Sequence, residues 1–192
     1  MQDFTILLPP SEAKIPGGND TLKWPDISDN RQLNAFCKMD LPRRAVVNAL
    51  QASLSLPAAD LARLFGVKGV RLDQAVDTNR RLPGGPLLPA VKRYNGVLFD
   101  FLDYDGMERS AQSAFDEHAV IFSGLWGLLC PMDLIPDYKL KMDASLPGLG
   151  KVSAFWRPRV NALLNPMLEG TVVWDLLPGA HRAAWDGKAG SA

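Results

Sequence analysis

Apolar and polar positions alternate along this chain in short blocks of differing period. Phe4 to Leu8 (FTILL) is an unbroken apolar and β-branched run stopped by Pro9-Pro10, which predicts a buried first strand. Positions 15 to 30 carry two prolines, an adjacent glycine pair and several Asp/Asn residues, and are expected to form a long loop. From Leu41-Pro42 the period becomes helical. Val46, Val47, Leu50 and Leu54 share one face. A second helix opens at Leu56-Pro57, with Leu61, Leu64 and Phe65 as its stripe and Gly66 as its C-cap. After the connector Val67-Lys68-Gly69, the pattern restarts from Val70 to Asn79 through Leu72, Ala75 and Val76. Pro83 to Pro86 interrupts it.

Further on, Leu87 to Tyr94 is read as another helix, while Gly96 to Asp105 fits a helix end or a strand equally well. Ser113 to Glu117 is read as a short helix, Ala119 to Phe122 as a core strand, and Tyr138 to Met142 as an alternating strand. Lys151 to Leu164 is a helix with Val152, Phe155, Val160, Leu163 and Leu164 inward, and Thr171 to Leu176 is a second core strand. The tail from Gly187 is expected to fray. Helices separate the strands, and the irregular stretches are long for a doubly wound sheet. The expected fold is therefore α+β (mixed α/β): a single domain, residues 1–192, with a central mixed sheet flanked by helices and a helix-hairpin-helix-like element.

Composition narrows the function more than the fold. With 192 residues, 47% of them hydrophobic, the chain can build one sizeable core. Lys and Arg number 21, as do Asp and Glu, which excludes a uniformly basic coat but leaves room for a local basic face. Cys37 and Cys130 lie far apart with no CxxC, so neither a disulfide framework nor a Cys/His metal cluster is expected, and a reducing cytoplasm fits. The N-terminus lacks the pattern of a signal peptide, and the longest near-apolar run, Ala119 to Cys130, is too short to span a bilayer. A cytoplasmic protein with no membrane partner, no metal and no cofactor is expected.

Three segments carry candidate chemistry. PPSEAK places Ser11, Glu12 and Lys14 at the carboxyl end of the first strand, where ligands often bind. In SGLWGLLCPMDLIPDYKLKM, the residues Ser123, Gly124, Trp126, Gly127, Pro131, Asp133, Asp137, Tyr138, Lys139 and Lys141 gather glycine freedom and polar groups behind an apolar strand. The third is the glycine connector Gly66-Val67-Lys68-Gly69 between two helices, which can offer backbone N–H groups to a phosphate. Around it, Arg63, Lys68, Arg71, Arg80, Arg81, Lys92 and Arg93 stand against only Asp73 and Asp77. For each segment an ordinary structural role competes: a solvated turn, a strand connection with core Trp and Leu, a plain αα-hairpin. A second turn, LPGLGK (Leu146 to Lys151), also opens a helix but has no helix before it. The acidic stretch Asp100, Asp103, Asp105, Glu108, Asp116 and Glu117 has no spacing specific to a metal. His118 and His181 are the two histidines, and no nucleophile elbow supports a triad.

The segment SGLWGLLCPMDLIPDYKLKMD resembles the SGLYG-L-P-D-L-PYRLEMG-like hallmark of the YaaA-type peroxide stress proteins. PPSEAK is similar to that family's SPAK motif, with Lys14 on its lysine. Tyr94-Asn95-Gly96, Phe155-Trp156 and the late strand Val172 to Leu176 extend the likeness over nearly the whole chain. Cys130 stands where relatives carry a basic residue, Asp143 replaces the motif's final glycine, and the family's later FxxKxxKGxxxR-type segment has no counterpart before Ala192.

The resemblance implies a cytoplasmic protein of the oxidative stress response that limits free intracellular iron. It also implies DNA binding through a helix-hairpin-helix element, here Arg63, Gly66, Lys68, Gly69, Arg71, Arg80 and Arg81. DNA is thus the expected partner. The alternative is an enzyme acting on an anionic or phosphorylated small molecule, with Ser11, Lys14, Asp133, Tyr138 and Lys139 in one pocket and Asp133 as base. Direct iron sequestration by the acidic stretch is the third reading.

Overall fold

The computed structural model describes residues 3–187. The expected frayed tail beyond Gly187 lies outside them. Strand β1 (Phe4–Leu8) is followed by the two-residue β2 (Ala13–Lys14) and a single helical turn, α1 (Trp24–Ile27). Helices α2 (Asp40–Ser53), α3 (Ala58–Phe65) and α4 (Val70–Arg81) come next. The expected helix at Leu87 to Tyr94 is only one turn, α5 (Ala90–Arg93), between β3 (Leu88–Pro89) and β4 (Tyr94–Asn95). Pro89 cannot continue a helix from behind, and both flanks pair with other strands instead. The ambiguous Gly96 to Asp105 is helical, α6 (Val97–Leu102), and ends at Asp103 in the left-handed region. Helix α7 (Arg109–His118) is longer than the predicted Ser113 to Glu117.

Strand β5 (Ala119–Ser123) is buried at every position, as its sequence predicts, and hairpins onto β6 (Gly127–Leu129). Then come β7 (Leu134–Ile135), β8 (Ser145–Leu146), β9 (Gly150–Lys151), α8 (Val152–Leu168), β10 (Val172–Asp175) and the one-turn α9 (Gly179–Arg182). Tyr138 to Met142, expected as a strand, joins no ladder; its backbone is claimed by side chains instead.

The central sheet has the order β10-β1-β5-β6, with β1 parallel to both neighbours and β5 antiparallel to β6. The expected mixed sheet is therefore present, but Thr171 to Leu176 is not a core strand. Its β10 lies at the sheet edge, where Trp174 is 58% exposed. One hydrophobic cluster runs from Leu7 and Leu8 through α2, α3 and β5 to α8. Helix α8 inserts Val152, Trp156, Val160 and Leu164 at four-residue spacing, all fully buried. Burial of such side chains is worth roughly 1.5–3 kcal/mol each. Trp156, rather than the expected Phe155, points inward, and its indole N–H donates to Gly124 O at 2.8 Å. Among the described residues no helix is long and apolar enough to cross a membrane.

Candidate functional site

Lys14 owes its place to the end of β1. Pro9-Pro10 stops the central ladder, and the chain turns to pair β2 with β4, setting Lys14 opposite Tyr94. The Ser11 hydroxyl donates to Asn95 O. Next to it Gly96 has φ +127°, and a Cβ there would stand 3.0 Å from Ser11 Oγ. Any L side chain would be strained in that conformation.

Lys14 Nζ donates to the carbonyls of Ser11 (3.1 Å) and Glu12 (3.4 Å). It lies 4.2 Å from the ring centre of Tyr138 and 5.6 Å from that of Tyr94. Beneath it runs a buried hydroxyl chain: Tyr94 OH to Tyr138 OH at 2.8 Å, Tyr138 OH to Ser123 Oγ at 2.7 Å, and Trp126 N–H donating to Ser123 Oγ at 3.1 Å. Burial pushes the Tyr138 phenol up to about 12. Burial also pulls the Lys14 ammonium down to about 8, against the opposing charge of Asp137 and with help from Lys139.

The carboxylate closest in sequence does not serve Lys14. Glu12 pairs with Lys139 at 2.9 Å and Lys141 at 2.8 Å, whose hydrogen bonds hold it at about 2. The two lysines stand two residues apart on an extended segment, hence on one side of it. That segment is locked to α4 by Asn79, which accepts from Lys139 N–H and donates to Lys139 O, both at 2.8 Å.

This clamp brings two of the sequence candidates together. A recess of about 180 Å³ is lined by Ser11, Glu12, Lys14, Tyr138, Lys141 and His181, among others. A second, of about 440 Å³, is lined by Lys14, Lys139, Tyr138 and Asp137 on one side and by Arg71, Gln74 and Thr78 of α4 on the other. Lys14 and Tyr138 belong to both. The glycine hairpin is thus one wall of the lysine cleft, and Lys141 Nζ lies 3.4 Å from where a Cβ on Gly66 would stand.

The hairpin has the predicted form. Gly66 caps α3 in the left-handed region at φ +66°, and Gly69 precedes α4 at φ +57°. Its charges divide, however. Arg63 pairs with Asp60, and Arg80 with Asp77 at 2.7 Å; Arg81 donates to Asp77 O at 3.3 Å. Lys68 and Arg71 are exposed, and among the described residues no carboxylate pairs with either. Lys92 pairs with Asp105 at 2.6 Å. Arg93 is buried, with its guanidinium donating to the carbonyls of Ile15, Gly17, Pro86 and Ile135.

The rest of the predicted pocket holds the architecture. A Cβ on Gly124 would lie 2.8 Å from Leu140 O, so this glycine lets the end of β5 touch the lysine segment. Gly127, at φ +73°, faces the Trp156 ring, 2.9 Å from an added Cβ. Trp126 packs on Trp24 at 4.7 Å, and Pro131 O accepts from Val91 N–H at 2.9 Å. Asp133, expected beside Lys14 and Tyr138, lines neither recess. Its carboxylate accepts from Ala35 N–H (2.7 Å) and Cys130 N–H (2.9 Å), close enough to feel the buried Arg43. Arg43 in turn donates to Trp126 O, Leu128 O and Asn34.

Besides Glu12, the cleft is lined by the Asp137 carboxylate, whose pKa burial raises. Of the residues around the cleft, Asn79 is not singled out by the sequence; Asp137 and Lys141 are read there only as polar groups behind an apolar strand, and His181 only as one of two histidines. The KxK alternation after Tyr138 is the available signal that Lys141 joins Lys139. The LPGLGK turn is the tip of the β8–β9 hairpin. His118 Nδ1 lies 2.7 Å from Phe4 O, with its ring stacked on Phe4. Burial lifts the Cys130 thiol to about 12. Among the described residues no three His, Cys, Asp or Glu side chains converge to hold a metal.

Comparison with known proteins adds the family. The sequence profile described as peroxide stress protein YaaA matches residues 4–192. A UPF0246 protein of Streptomyces coelicolor is 33% identical over 186 residues, covering 95% of this chain and 68% of the relative. One from Corynebacterium efficiens is 31% identical over 180 residues, 92% of this chain and 67% of the relative. An uncharacterized protein of Campylobacter jejuni is 28% identical over 123 residues, 64% of this chain and 48% of its own length.

Proposed function

This chain belongs to the YaaA family of peroxide stress proteins, and on that premise we propose that it serves the peroxide stress response in the cytoplasm by binding DNA through the α3–α4 hairpin. One observation carries the reading. The hairpin on which, among the described residues, Lys68 and Arg71 have no carboxylate partner is also a wall of the Lys14 cleft. Backbone phosphates held by the connector N–H groups, Lys68 and Arg71 would run past Lys14. Arg63 and Arg80, engaged by their own aspartates, contribute less. The limitation of free intracellular iron belongs to the same proposal and is assigned to no metal site on the chain.

Fluorescence anisotropy of a labelled duplex across a salt series tests it. Two phosphate contacts give a slope of log affinity against log salt near about −2, at about −0.9 per contact. Lys68→Glu and Arg71→Glu are each expected to weaken binding and flatten that slope. Unchanged binding in both variants removes the hairpin from the account.

The enzymatic alternative rests on a different observation: Lys14 and Tyr138 share a partly open recess of about 180 Å³, large enough for a small anion. Asp137, which lines the adjoining recess of about 440 Å³ together with Lys14 and Tyr138, takes the place of Asp133 in this reading. Saturable protection of Lys14 from acylation by a sugar phosphate, without any DNA affinity, would favour it.

A further inference from the structure

Lys14 is an unusual lysine for a phosphate site. Its Nζ is held by two backbone carbonyls, at 3.1 and 3.4 Å, and rests on the Tyr138 ring, and among the described residues no carboxylate pairs with it. The one acid in its own motif, Glu12, is turned away and spent on Lys139 and Lys141. One carboxylate offsets only one of those two charges, so the lysine pair keeps a net positive charge beside Lys14, and Arg71, which no carboxylate pairs with among the described residues, adds another across the cleft. Desolvation and the neighbouring cations Lys139 and Arg93 all favour the neutral amine. At about 8 the ammonium still predominates near neutral pH, but a far larger fraction is the neutral amine than for a free lysine, and that amine is a good nucleophile for a carbonyl. Asp137, a half-buried carboxylate whose field reaches Lys14, completes the set.

We propose that Lys14 is an imine-forming nucleophile for an aldehyde that carries a phosphate ester close by, the phosphate facing Arg71. Resting on the DNA reading above, the substrate class is the ring-opened sugar of a nucleotide that has lost its base.

The chemistry needs no oxidant or reductant. The Nζ lone pair adds to the aldehyde carbon, forming the C–N bond; the carbonyl π pair moves to oxygen, which takes up a proton. Loss of water gives the imine. Asp137 then removes a proton from the adjacent sugar carbon, and the next carbon–oxygen bond breaks, with its electron pair leaving on the 3′ phosphate. Water hydrolyses the imine and restores Lys14.

The full 192-residue chain would be incubated with a duplex bearing one abasic nucleotide in the presence of sodium cyanoborohydride, which reduces an imine to a stable secondary amine. The expected result is a covalent adduct that peptide mass spectrometry places on Lys14. Lys14→Met abolishes it. Asp137→Asn keeps the adduct but slows strand scission at least tenfold in parallel reactions without the reductant. Adducts scattered over surface lysines overturn the proposal without any appeal to a variant that fails to fold. An adduct on Lys14 with ribose 5-phosphate but none with the abasic duplex overturns the substrate class. Anisotropy on intact and abasic duplexes separates the two levels. Affinity for DNA with no Lys14 adduct defeats this inference alone, whereas absence of affinity defeats the DNA reading itself.

Discussion

Replacing Lys14 with methionine changes stability in a way that depends on pH, and the sign follows from burial. The folded chain pulls this ammonium from 10.5 down to about 8. At about 1.4 kcal/mol per pKa unit, that difference is roughly 3 kcal/mol between the two protonation states. Below pH 8 both folded and unfolded chains carry the proton, and the folded state bears the whole desolvation cost. Between pH 8 and 10.5 the unfolded chain binds more protons than the folded one, so stability rises with pH. Above 10.5 the cost is gone. Methionine has no such term, and it retains the contact with the Tyr138 ring.

The stability of Lys14→Met relative to the parent should therefore be greatest near pH 7 and fall by up to roughly 3 kcal/mol as pH rises through 8 to 10.5. Urea denaturation of both proteins at several pH values measures this, and taking the difference cancels groups common to both. A difference that stays flat across the window, with equal denaturant slopes, would show that Lys14 is not desolvated in the folded state. The basis for its nucleophilic role would go with it.

Other substitutions test the frame around the cleft. Arg43→Met strips the donors from Trp126 O, Leu128 O and Asn34 and leaves Asp133 without its cation, so chemical denaturation should show a loss of about 3–5 kcal/mol; a loss below 1 kcal/mol would refute the assignment. Gly127→Ala meets both a positive φ and the Trp156 ring, and Gly69→Ala meets only a positive φ. The first should cost more than the second by roughly 1–3 kcal/mol, the price of overpacking, read as a difference in denaturation midpoint. Tyr138→Phe breaks the hydroxyl chain to Tyr94 and Ser123, with an expected loss of about 1–3 kcal/mol. Glu12→Gln should soften the acid limb of stability only weakly, because this pair is half-exposed to water. Its contribution is present above about 4.5 and fades as pH falls toward about 2.

Where local period and burial agree, the sequence was legible. β5 is buried at every position, as its unbroken apolar run requires, β1 is buried at Leu7 and Leu8 where it enters the core, and α2, α3 and α4 display their stripes where spacing puts them. The misreadings share a cause. Tyr138 to Met142 alternates like a strand, yet its Lys139 peptide is bonded by the Asn79 side chain, a partner 60 residues away that no local pattern reveals. Leu87 to Tyr94 is apolar enough for a helix, but β2 and β7 claim its ends. Val172 to Asp175 has the composition of a core strand and sits at an edge because strand order is set by crossovers, not by composition. Asp133 was misplaced for the same reason. It stands four residues before Asp137 in one polar cluster, and only the bend at β7 and Pro136 sends the two to different neighbourhoods.

The buried polar groups fall into two kinds, and the distinction says where function resides. Arg43, Arg93, Asn79 and Asp133 have partners for their charged or amide groups: carbonyls for the guanidinium donors, backbone N–H groups for the carboxylate oxygens, both edges of a peptide for the amide. Buried polar networks completed in this way fix one arrangement of the chain and have nothing left to offer a ligand. Lys14 and His181 are different. Among the described residues, Lys14 has carbonyls and an aromatic face but no counter-charge in contact, and His181 Nδ1 is buried with no hydrogen-bond partner. Both open onto the same recess of about 180 Å³. In sequence, Arg43 and Lys14 are alike, each a cation close to apolar neighbours. In the folded protein one stabilises and the other costs roughly 3 kcal/mol near neutral pH. A fold that has satisfied so many of its buried charges and leaves this one without a counter-charge, at the junction of two recesses and opposite the hairpin, carries the cost where local consistency gives way to function.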